Sequence, residues 1–322
     1  MRGVLLAVLL AGALLLWAGA RFIADTLVRP APYIPARTES SQSSRIEPLS
    51  TFLPWLAHVY EPSSPTPTPQ QLSDPEVQAA AAGLVNMTLR QTLWSSHADN
   101  AEGIASLTKL MTSLVAREYA TSSMLITIEQ DDLNVDSVNK DLRVGDRFTL
   151  DEAFHFLLIP SDNAMAKAVA RTVFHGGSQA FVKRMNQTAA ALGMTHTSYE
   201  DPVGLGRDVS SVSDLAILAR YIENNYPDLF SFSKYAHLTM VTEQGRVFEL
   251  NNTNQILNQI PGIIGSKTGY TPETGGSLLV VFETQKGKFV SIVLGSPDRF
   301  GDTSAILSWY SRAMSDTLNA NN

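Results

Sequence analysis

The feature that most restricts the fold of this chain is a pair of apolar, β-branched runs near its C-terminus. Residues 276–283 (GSLLVVFE) and 288–295 (KFVSIVLG) are separated only by TQKG. Such spacing predicts two antiparallel strands joined by a short turn. Another strand and turn are predicted within residues 84–94. Because helical patterns fill the region between these strands, we expect an α/β (α+β) chain in which helices cover a sheet.

Helices are predicted where apolar residues recur at three- and four-residue spacing. Residues 106–120 carry a stripe of this kind, and the same reasoning predicts helices at 150–158, 163–174 and 210–224. A last helix is predicted at 303–318. The central part of the chain is therefore expected to be mostly helical.

The N-terminus has the pattern of an export signal. Residues 4–20 are uncharged and largely apolar, and they lie between Arg2 and Arg21. One positive charge, an apolar stretch and a small-residue end are typical of a secretory signal peptide. A helix that continued past Arg21 would be long enough to form a membrane anchor. We expect residues 1–24 to be one or the other, and the protein to act outside the cytoplasm, secreted or tethered.

A spacer is predicted between this segment and a globular domain. Residues 25–75 are rich in Ser, Thr and Pro, as in EPSSPTPTPQ at 61–70. Repeated proline disfavours both helices and sheet ladders. The apolar patch at 52–56 interrupts the spacer and is expected to make a local contact. The globular domain is expected to span 76–322.

Composition excludes several classes of function. The net charge is −7, and the Lys and Arg residues are scattered, whereas nucleic-acid binding requires a clustered basic face. The chain has no Cys, so disulfides, thiol nucleophiles and Cys-bound metals are excluded. Its His residues show no metal-ligand spacing. We expect neither a metal nor an organic cofactor.

The first cluster with chemical potential is the pair Ser106 and Lys109. Their spacing places both side chains on one face of the predicted helix, one turn apart. A serine hydroxyl becomes a nucleophile when an adjacent base takes its proton. A lysine can be that base when partial burial and a second cation lower its pKa.

Two further clusters follow along the chain. Ser161-Asp162-Asn163 could simply begin a helix, and Lys267-Thr268-Gly269 could simply end a strand before a turn. Taken in order, however, S-x-x-K, S-D-N and K-T-G form the motif set of class A β-lactamases and penicillin-binding proteins.

From residue 83 to 298 the chain resembles the serine-type D-Ala-D-Ala carboxypeptidases, the low-molecular-mass penicillin-binding proteins. The resemblance rests on the three motifs and on ASLTKLMTSLVA (105–116), LGMTHTSYEDPVGL (192–205), NNTNQIL (251–257) and GIIGSKTGYT (262–271). It implies a DD-peptidase/β-lactamase-like fold, with an antiparallel sheet of about five strands covered by helices and a mostly helical subdomain. Residues 76–322 would then be the catalytic domain.

The resemblance also implies roles for the motif residues. Ser106 would form the acyl-enzyme, and Lys109 would activate it. Ser161 would relay a proton toward the leaving D-alanine, and Asn163 would hold the peptide carbonyl of the substrate. Lys267 would add positive charge beside Ser161.

Residues of the third motif would bind substrate. Thr268 would bind the terminal carboxylate, and Gly269 would let the substrate lie close to its strand. Backbone N–H groups of Ser106 and Tyr270 would form the oxyanion hole. An arginine that some members carry is missing from its expected place, so Arg207 is a second candidate for binding the carboxylate.

The predicted function is that of a serine DD-carboxypeptidase. It would remove the terminal D-Ala from peptidoglycan stem pentapeptides in cell-wall maturation, with β-lactams as covalent inhibitors. A DD-endopeptidase acting on cross-links, a class A-like β-lactamase and a non-catalytic penicillin-binding sensor are the alternatives. A β-lactamase needs a glutamate that activates water, whereas Glu200 lies in a stretch that resembles the carboxypeptidases.

Overall fold

The computed structural model describes residues 73–138, 141–174 and 176–320. The predicted signal peptide or anchor at 1–24 and nearly all of the predicted spacer, including the patch at 52–56, lie outside these ranges. Every helix within them is too short or too polar to cross a membrane.

A five-stranded antiparallel sheet forms the framework of the domain. Across the sheet the strands are β2 (Gln91–Ser96), β1 (Ala81–Asn86), β11 (Gly287–Ser296), β10 (Gly275–Thr284) and β9 (Ile263–Thr271). The predicted hairpin is confirmed, because β10 and β11 pair antiparallel with Leu279 opposite Ile292. Strand β9 lies at one edge of the sheet.

Helices and short strand pairs occupy the chain between β2 and β9 and follow β11. In chain order they are β3 (Glu102–Gly103), α1 (Thr108–Tyr119), β4 (Leu125–Thr127), β5 (Arg147–Thr149), α2 (Leu150–Leu158), α3 (Asn163–Val173), α4 (Gly177–Leu192), β6 (Val209–Ser210), α5 (Val212–Asn225), α6 (Asp228–Ser231), β7 (His237–Val241), β8 (Val247–Asn251) and α7 (Arg299–Ala320). Strands β3 and β6, β4 and β5, and β7 and β8 pair two by two. The expected α/β architecture of a sheet covered by helices is confirmed.

Both faces of the sheet are buried, which explains the unbroken apolar run in β10. Leu278 and Val280 join a core cluster with Ile306 and Trp309 of α7. Their neighbours in β10 are equally buried and point to the opposite face, because side chains alternate along a strand. A strand covered on both faces is apolar throughout, whereas a strand with one wet face alternates.

Helix α1 is the centre of the helical part, where it contacts α2, α3 and α4. All of its first nine residues are buried, including polar ones such as Thr108, Lys109 and Thr112. Polar groups inside a core cost free energy unless they are hydrogen-bonded. Thr108, Lys109 and Thr112 meet this requirement, because the side chain of each has a hydrogen-bond partner.

Several boundaries differ from the sequence-based expectations. The helix predicted at 106–120 begins as a 3₁₀ turn at Ala105–Leu107 and becomes α-helical only at Thr108. The last helix begins at Arg299, earlier than predicted, because Asp298 accepts a hydrogen bond from the N–H of Gly301 at 2.9 Å and caps the helix. Helix α4 and the β7–β8 hairpin were not predicted.

Candidate active site

Ser106 lies in the tight turn that joins β3 to α1. The residue before it, Ala105, has φ 45°, a left-handed conformation that side chains other than glycine seldom adopt. Two glycines distant in sequence, one in the 200–208 loop and one on β9, press on this turn. A Cβ atom on Gly204 would lie 2.1 Å from the carbonyl oxygen of Ala105, and one on Gly269 would lie 2.6 Å from that of Ile104. The turn that contains Ser106, here called the nucleophile turn after the role predicted for Ser106, is therefore clamped from two sides by backbone.

Lys109 is fully buried, and its Nζ contacts three oxygens. It lies 2.9 Å from Ser106 Oγ, 2.7 Å from Asn163 Oδ1 and 2.7 Å from the carbonyl oxygen of Val203. As an ammonium group it donates to all three. As a neutral amine it can still donate to the two carbonyl oxygens, which leaves its lone pair facing the Ser106 hydroxyl.

The charge of Lys109 is set by opposing effects. Burial lowers the pKa of Lys109 to about 7, although the negative charges of Asp162, Asp201 and Asp208 raise it. The sequence predicted only partial burial with help from a second cation, whereas complete burial is the main cause. With a pKa near neutrality, the amine is present in useful amounts at physiological pH, which is what a general base requires.

The second motif forms the turn into α3. Ser161 has φ 65°, and Asp162 caps the helix by accepting a hydrogen bond from the Met165 N–H at 2.8 Å. Asn163 donates from Nδ2 to the carbonyl oxygen of Asp136 at 2.6 Å, while its Oδ1 accepts from Lys109. Asn163 thus ties Lys109 to the loop that contains Asp136. The motif therefore caps a helix through Asp162 and also supplies the predicted site residues Ser161 and Asn163.

The third motif lies on the edge strand β9. Lys267 is buried and donates to Ser161 Oγ and to the carbonyl oxygen of Thr268, both at 2.8 Å. Burial lowers the pKa of Lys267, and the positive charges of Lys109 and Arg299 lower it further. The amine of Lys267 is therefore held directly against Ser161, in surroundings that disfavour its charged form.

Gly269 and Tyr270 follow on the same strand. A Cβ atom on Gly269 would lie 3.1 Å from the backbone nitrogen of Ser106, so this glycine lies directly beside Ser106. The side chain of Tyr270 is 63% exposed. The residues of the three motifs and Tyr270 therefore lie on three neighbouring parts of the fold: the turn into α1 with the start of that helix, the turn into α3 with its first residue, and β9.

The structure adds groups that the motifs did not reveal. The Thr268 hydroxyl is hydrogen-bonded to the hydroxyl of Thr253, which lies in the NNTNQIL stretch that already resembled the family. Arg299 donates from Nη1 to the carbonyl oxygen of Gly269 at 3.2 Å. Nothing in the sequence singled out Arg299, because it lies far from every motif. The contact of Lys109 with Val203 could not be predicted from the sequence, because it involves a backbone carbonyl that every residue has.

The carboxylates nearest in sequence to Val203 are engaged within their own loop. Glu200 is exposed, and its Oε2 accepts from the N–H of Arg207 at 3.1 Å. The carboxylate of Asp201 accepts from the four consecutive N–H groups of residues 203–206. Arg207 itself is exposed. Its predicted part in carboxylate binding stays a prediction, whereas Arg299 is the arginine that lies against β9.

This constellation has the parts needed for acyl transfer. A serine hydroxyl lies within hydrogen-bond distance of a buried base. A second serine lies beside the buried amine of Lys267. Both face an edge strand whose outward N–H and C=O groups can pair with an extended peptide.

Comparison with known proteins agrees with this geometry. The sequence model of the family described as D-alanyl-D-alanine carboxypeptidase matches residues 68–298, more than half of the chain. The D-alanyl-D-alanine carboxypeptidase DacF of Bacillus subtilis is 26% identical over 226 residues. That match covers 68% of this chain and 58% of the relative, so this chain spans less than two thirds of that protein.

Two further relatives cover more of their own length. The D-alanyl-D-alanine endopeptidase of Pseudomonas aeruginosa is 29% identical over 255 residues, which is 77% of this chain and 82% of the relative. The crystal structure of the Streptomyces K15 DD-transpeptidase superposes with a TM-score of 0.67 at 26% identity, and covers 74% of this chain and 98% of that one. The chain therefore belongs to the D-alanyl-D-alanine carboxypeptidase family of serine peptidases, the family that its three motifs predicted.

Proposed function

We propose that this protein is a serine DD-carboxypeptidase that removes the terminal D-Ala from peptidoglycan stem pentapeptides. The observation that carries the proposal is the 2.9 Å contact between Lys109 Nζ and Ser106 Oγ. It joins a nucleophile to a base that burial keeps partly neutral near pH 7. A structural lysine would instead remain charged and paired with a carboxylate.

The proposed reaction begins with transfer of the Ser106 hydroxyl proton to neutral Lys109. Ser106 Oγ attacks the carbonyl carbon of the penultimate D-Ala, and a new C–O bond forms. The negative charge that develops on the carbonyl oxygen is stabilised by the backbone N–H groups of Ser106 and Tyr270. The C–N bond then breaks as Ser161, which lies beside Lys267, gives its proton to the amine of the leaving D-Ala and recovers the proton that Lys109 took from Ser106. Water finally attacks the ester carbon and gives a proton to neutral Lys109. Lys109 passes that proton to Ser106 Oγ as the C–O bond breaks and the shortened peptide leaves.

Binding of the substrate is proposed along β9. Gly269 keeps the strand free of a side chain where the peptide would pass Ser106, and Asn163 is proposed to hold a peptide carbonyl. Thr268 is proposed to donate to the terminal carboxylate. The guanidinium of Arg299, which is held to β9 through the Gly269 carbonyl, adds positive charge on the same side.

β-Lactams are proposed to acylate Ser106 and to be released slowly. Rapid release requires a carboxylate that activates water over the acyl-enzyme. In this loop Glu200 accepts from a backbone N–H and is exposed, and Asp201 is occupied by backbone N–H groups. This arrangement favours a penicillin-inhibited peptidase over the alternative of a β-lactamase.

Cleavage of cross-links is the second candidate activity. It is favoured by the similarity to the Pseudomonas aeruginosa endopeptidase. The acyl-transfer chemistry would be the same, because only the group on the leaving side of the scissile bond differs. The two activities differ in the size of the leaving amine that the site must admit.

Members of this family act on the cell wall, outside the cytoplasm. We propose that residues 1–24 export the protein or tether it to the membrane, and that residues 25–75 separate this segment from the catalytic domain at 76–322. Treatment of cells that express the full chain with signal peptidase inhibitors, followed by fractionation, would distinguish a cleaved signal from an anchor.

The proposed activity is tested with purified muropeptides. The protein is incubated with monomeric pentapeptides and with cross-linked dimers, and the products are identified by mass spectrometry. Release of D-alanine from pentapeptides supports carboxypeptidase activity, and cleavage of dimers alone supports the endopeptidase. The Ser106→Ala variant is the control. If neither substrate is cleaved, or if this variant cleaves as fast as the wild type, the enzymatic proposal is wrong.

A further inference from the structure

We propose that Asp208 is a positioning residue for the acylation step, one that holds the 200–208 loop against the start of α1 and keeps a negative charge near Lys109. The inference rests on the proposed function, because it concerns how the base of that reaction is placed and charged. Asp208 belongs to none of the three motifs and is only 2% exposed.

The contacts of Asp208 join three parts of the chain. Its Oδ2 accepts from the hydroxyl of Thr108 at 2.6 Å, and its Oδ1 accepts from the backbone N–H groups of Glu200 and Asp201 at 2.6 and 3.3 Å. Its own carbonyl oxygen accepts from the N–H of Ile104 at 3.1 Å. One buried residue therefore links the beginning of the loop, the first residue of α1 and the segment before the nucleophile.

The loop that Asp208 holds delivers backbone groups to the site. The carbonyl of Val203 accepts from Lys109, and that of Pro202 accepts from the hydroxyl of Thr112 at 2.7 Å. Gly204 presses on the carbonyl of Ala105. These are backbone groups, so a change of side-chain rotamer cannot move them. Their positions depend on the contacts that hold the loop.

Charge is the second link between Asp208 and the base. Burial lowers the pKa of Lys109, whereas the charges of Asp162 at the start of α3 and of Asp201 and Asp208 in the loop raise it. Lys267 on β9 is the cationic side chain nearby, and the charge of Lys109 lowers its pKa. Asp208 faces the hydroxyl of Thr108 and the charge of Asp201, and it raises the pKa of buried Tyr199.

Burial raises the pKa of the Asp208 carboxyl to about 6, although the hydrogen bond from Thr108 lowers it. The group is therefore mainly ionised at neutral pH. Replacing Asp208 by an uncharged residue would lower the pKa of Lys109 further, because one of the three carboxylates that raise this pKa would be lost. Neutral Lys109 would then be available at a lower pH.

The test uses two near-isosteric variants of the full-length protein. Asp208→Asn removes the charge but keeps an oxygen that can accept from the loop N–H groups. Thr108→Val removes the hydroxyl donor but keeps the charge. The rate constant for acylation of Ser106 by a fluorescent penicillin is measured from pH 5 to 9. In the plot of this rate constant against pH, the acidic limb is the rise in rate as Lys109 loses its proton. For Asp208→Asn we expect this limb to shift to a lower pH by about 0.5 to 1 pH unit. For Thr108→Val, in which Asp208 is still ionised at alkaline pH, we expect the plateau rate to fall about threefold to tenfold.

Asp214→Asn is the matched control. Asp214 is also 2% exposed and accepts from the N–H of His196 at 2.7 Å, but it is not one of the aspartates that raise the pKa of Lys109. The acidic limb of the pH–rate curve for Asp214→Asn should therefore match that of the wild type. Thermal unfolding of each variant separates loss of fold from loss of rate.

The outcomes distinguish the two levels of the proposal. A wild-type protein that is never acylated overturns the proposed function. A wild type that is acylated, with Asp208→Asn keeping the wild-type limb, overturns the charge part of this inference alone. If Asp208→Asn does not fold, an unchanged plateau in Thr108→Val overturns the positioning part.

Discussion

Gly204→Ala is the substitution that most sharply tests how the nucleophile turn is built. Gly204 has φ 87°. A Cβ atom there would lie 2.1 Å from the carbonyl oxygen of Ala105 and 2.9 Å from the backbone nitrogen of Ser106. Both neighbours are backbone atoms and cannot rotate away. Because ordinary contacts begin near 3.4 Å, either the loop or the turn must shift by about 1 Å.

The size of the effect follows from these distances. The left-handed conformation costs alanine about 1 kcal/mol relative to glycine, and the overpacking adds about 1 to 3 kcal/mol. A shift of about 1 Å in Ser106 or in the Val203 carbonyl is expected to slow acylation about 100-fold. Thermal unfolding measures the first effect, and the rate of acylation by a fluorescent penicillin measures the second.

Gly193→Ala is the matched control for this experiment. Gly193 has φ 79°, so it carries the same conformational cost, but nothing lies within 4 Å of the Cβ position. We expect a loss of about 1 kcal/mol in stability and an unchanged acylation rate. The reasoning is refuted if Gly204→Ala acylates at the wild-type rate, or if both variants lose activity equally.

Two other outcomes are expected. Below about pH 7 the acylation rate should fall about tenfold per pH unit, because neutral Lys109 is the base and its pKa is about 7; a rate independent of pH between 5 and 7 would argue against Lys109. Glu200→Gln should leave both penicillin acylation and its slow release unchanged, since this carboxylate is exposed and bonded to a backbone N–H. Slower release in that variant, measured by recovery of free enzyme, would show that Glu200 activates water.

The fold was predictable where the sequence pattern reports burial directly. The runs that became β10 and β11 are apolar because both sheet faces are covered, and the helix at Leu150–Leu158 was predicted to the residue. Helix α4 was missed although it buries Phe181, Met185 and Ala189 at regular four-residue spacing. Its glycine-rich start and run of small residues weakened the signal.

The sequence predicted only those parts of the site that consist of particular side chains. Three motifs predicted a nucleophile, its base and a second serine, because that chemistry requires those side chains at fixed spacing. Val203 acts through its carbonyl, and any residue has one. Asp208 is 100 residues from Thr108, so only the folded chain brings them together. The left-handed conformation of Ala105 is likewise imposed by packing, since alanine does not favour it.

The central claim is that Ser106 is the nucleophile, and peptide mapping after penicillin treatment tests it most directly. The full chain is incubated with benzylpenicillin, digested and examined by mass spectrometry. We predict a single penicilloyl adduct on the peptide that contains Ser106, and its loss in the Lys109→Ala variant at pH 7. An adduct on another residue, or hydrolysis of pentapeptide by a protein whose Ser106 is never acylated, would contradict the account.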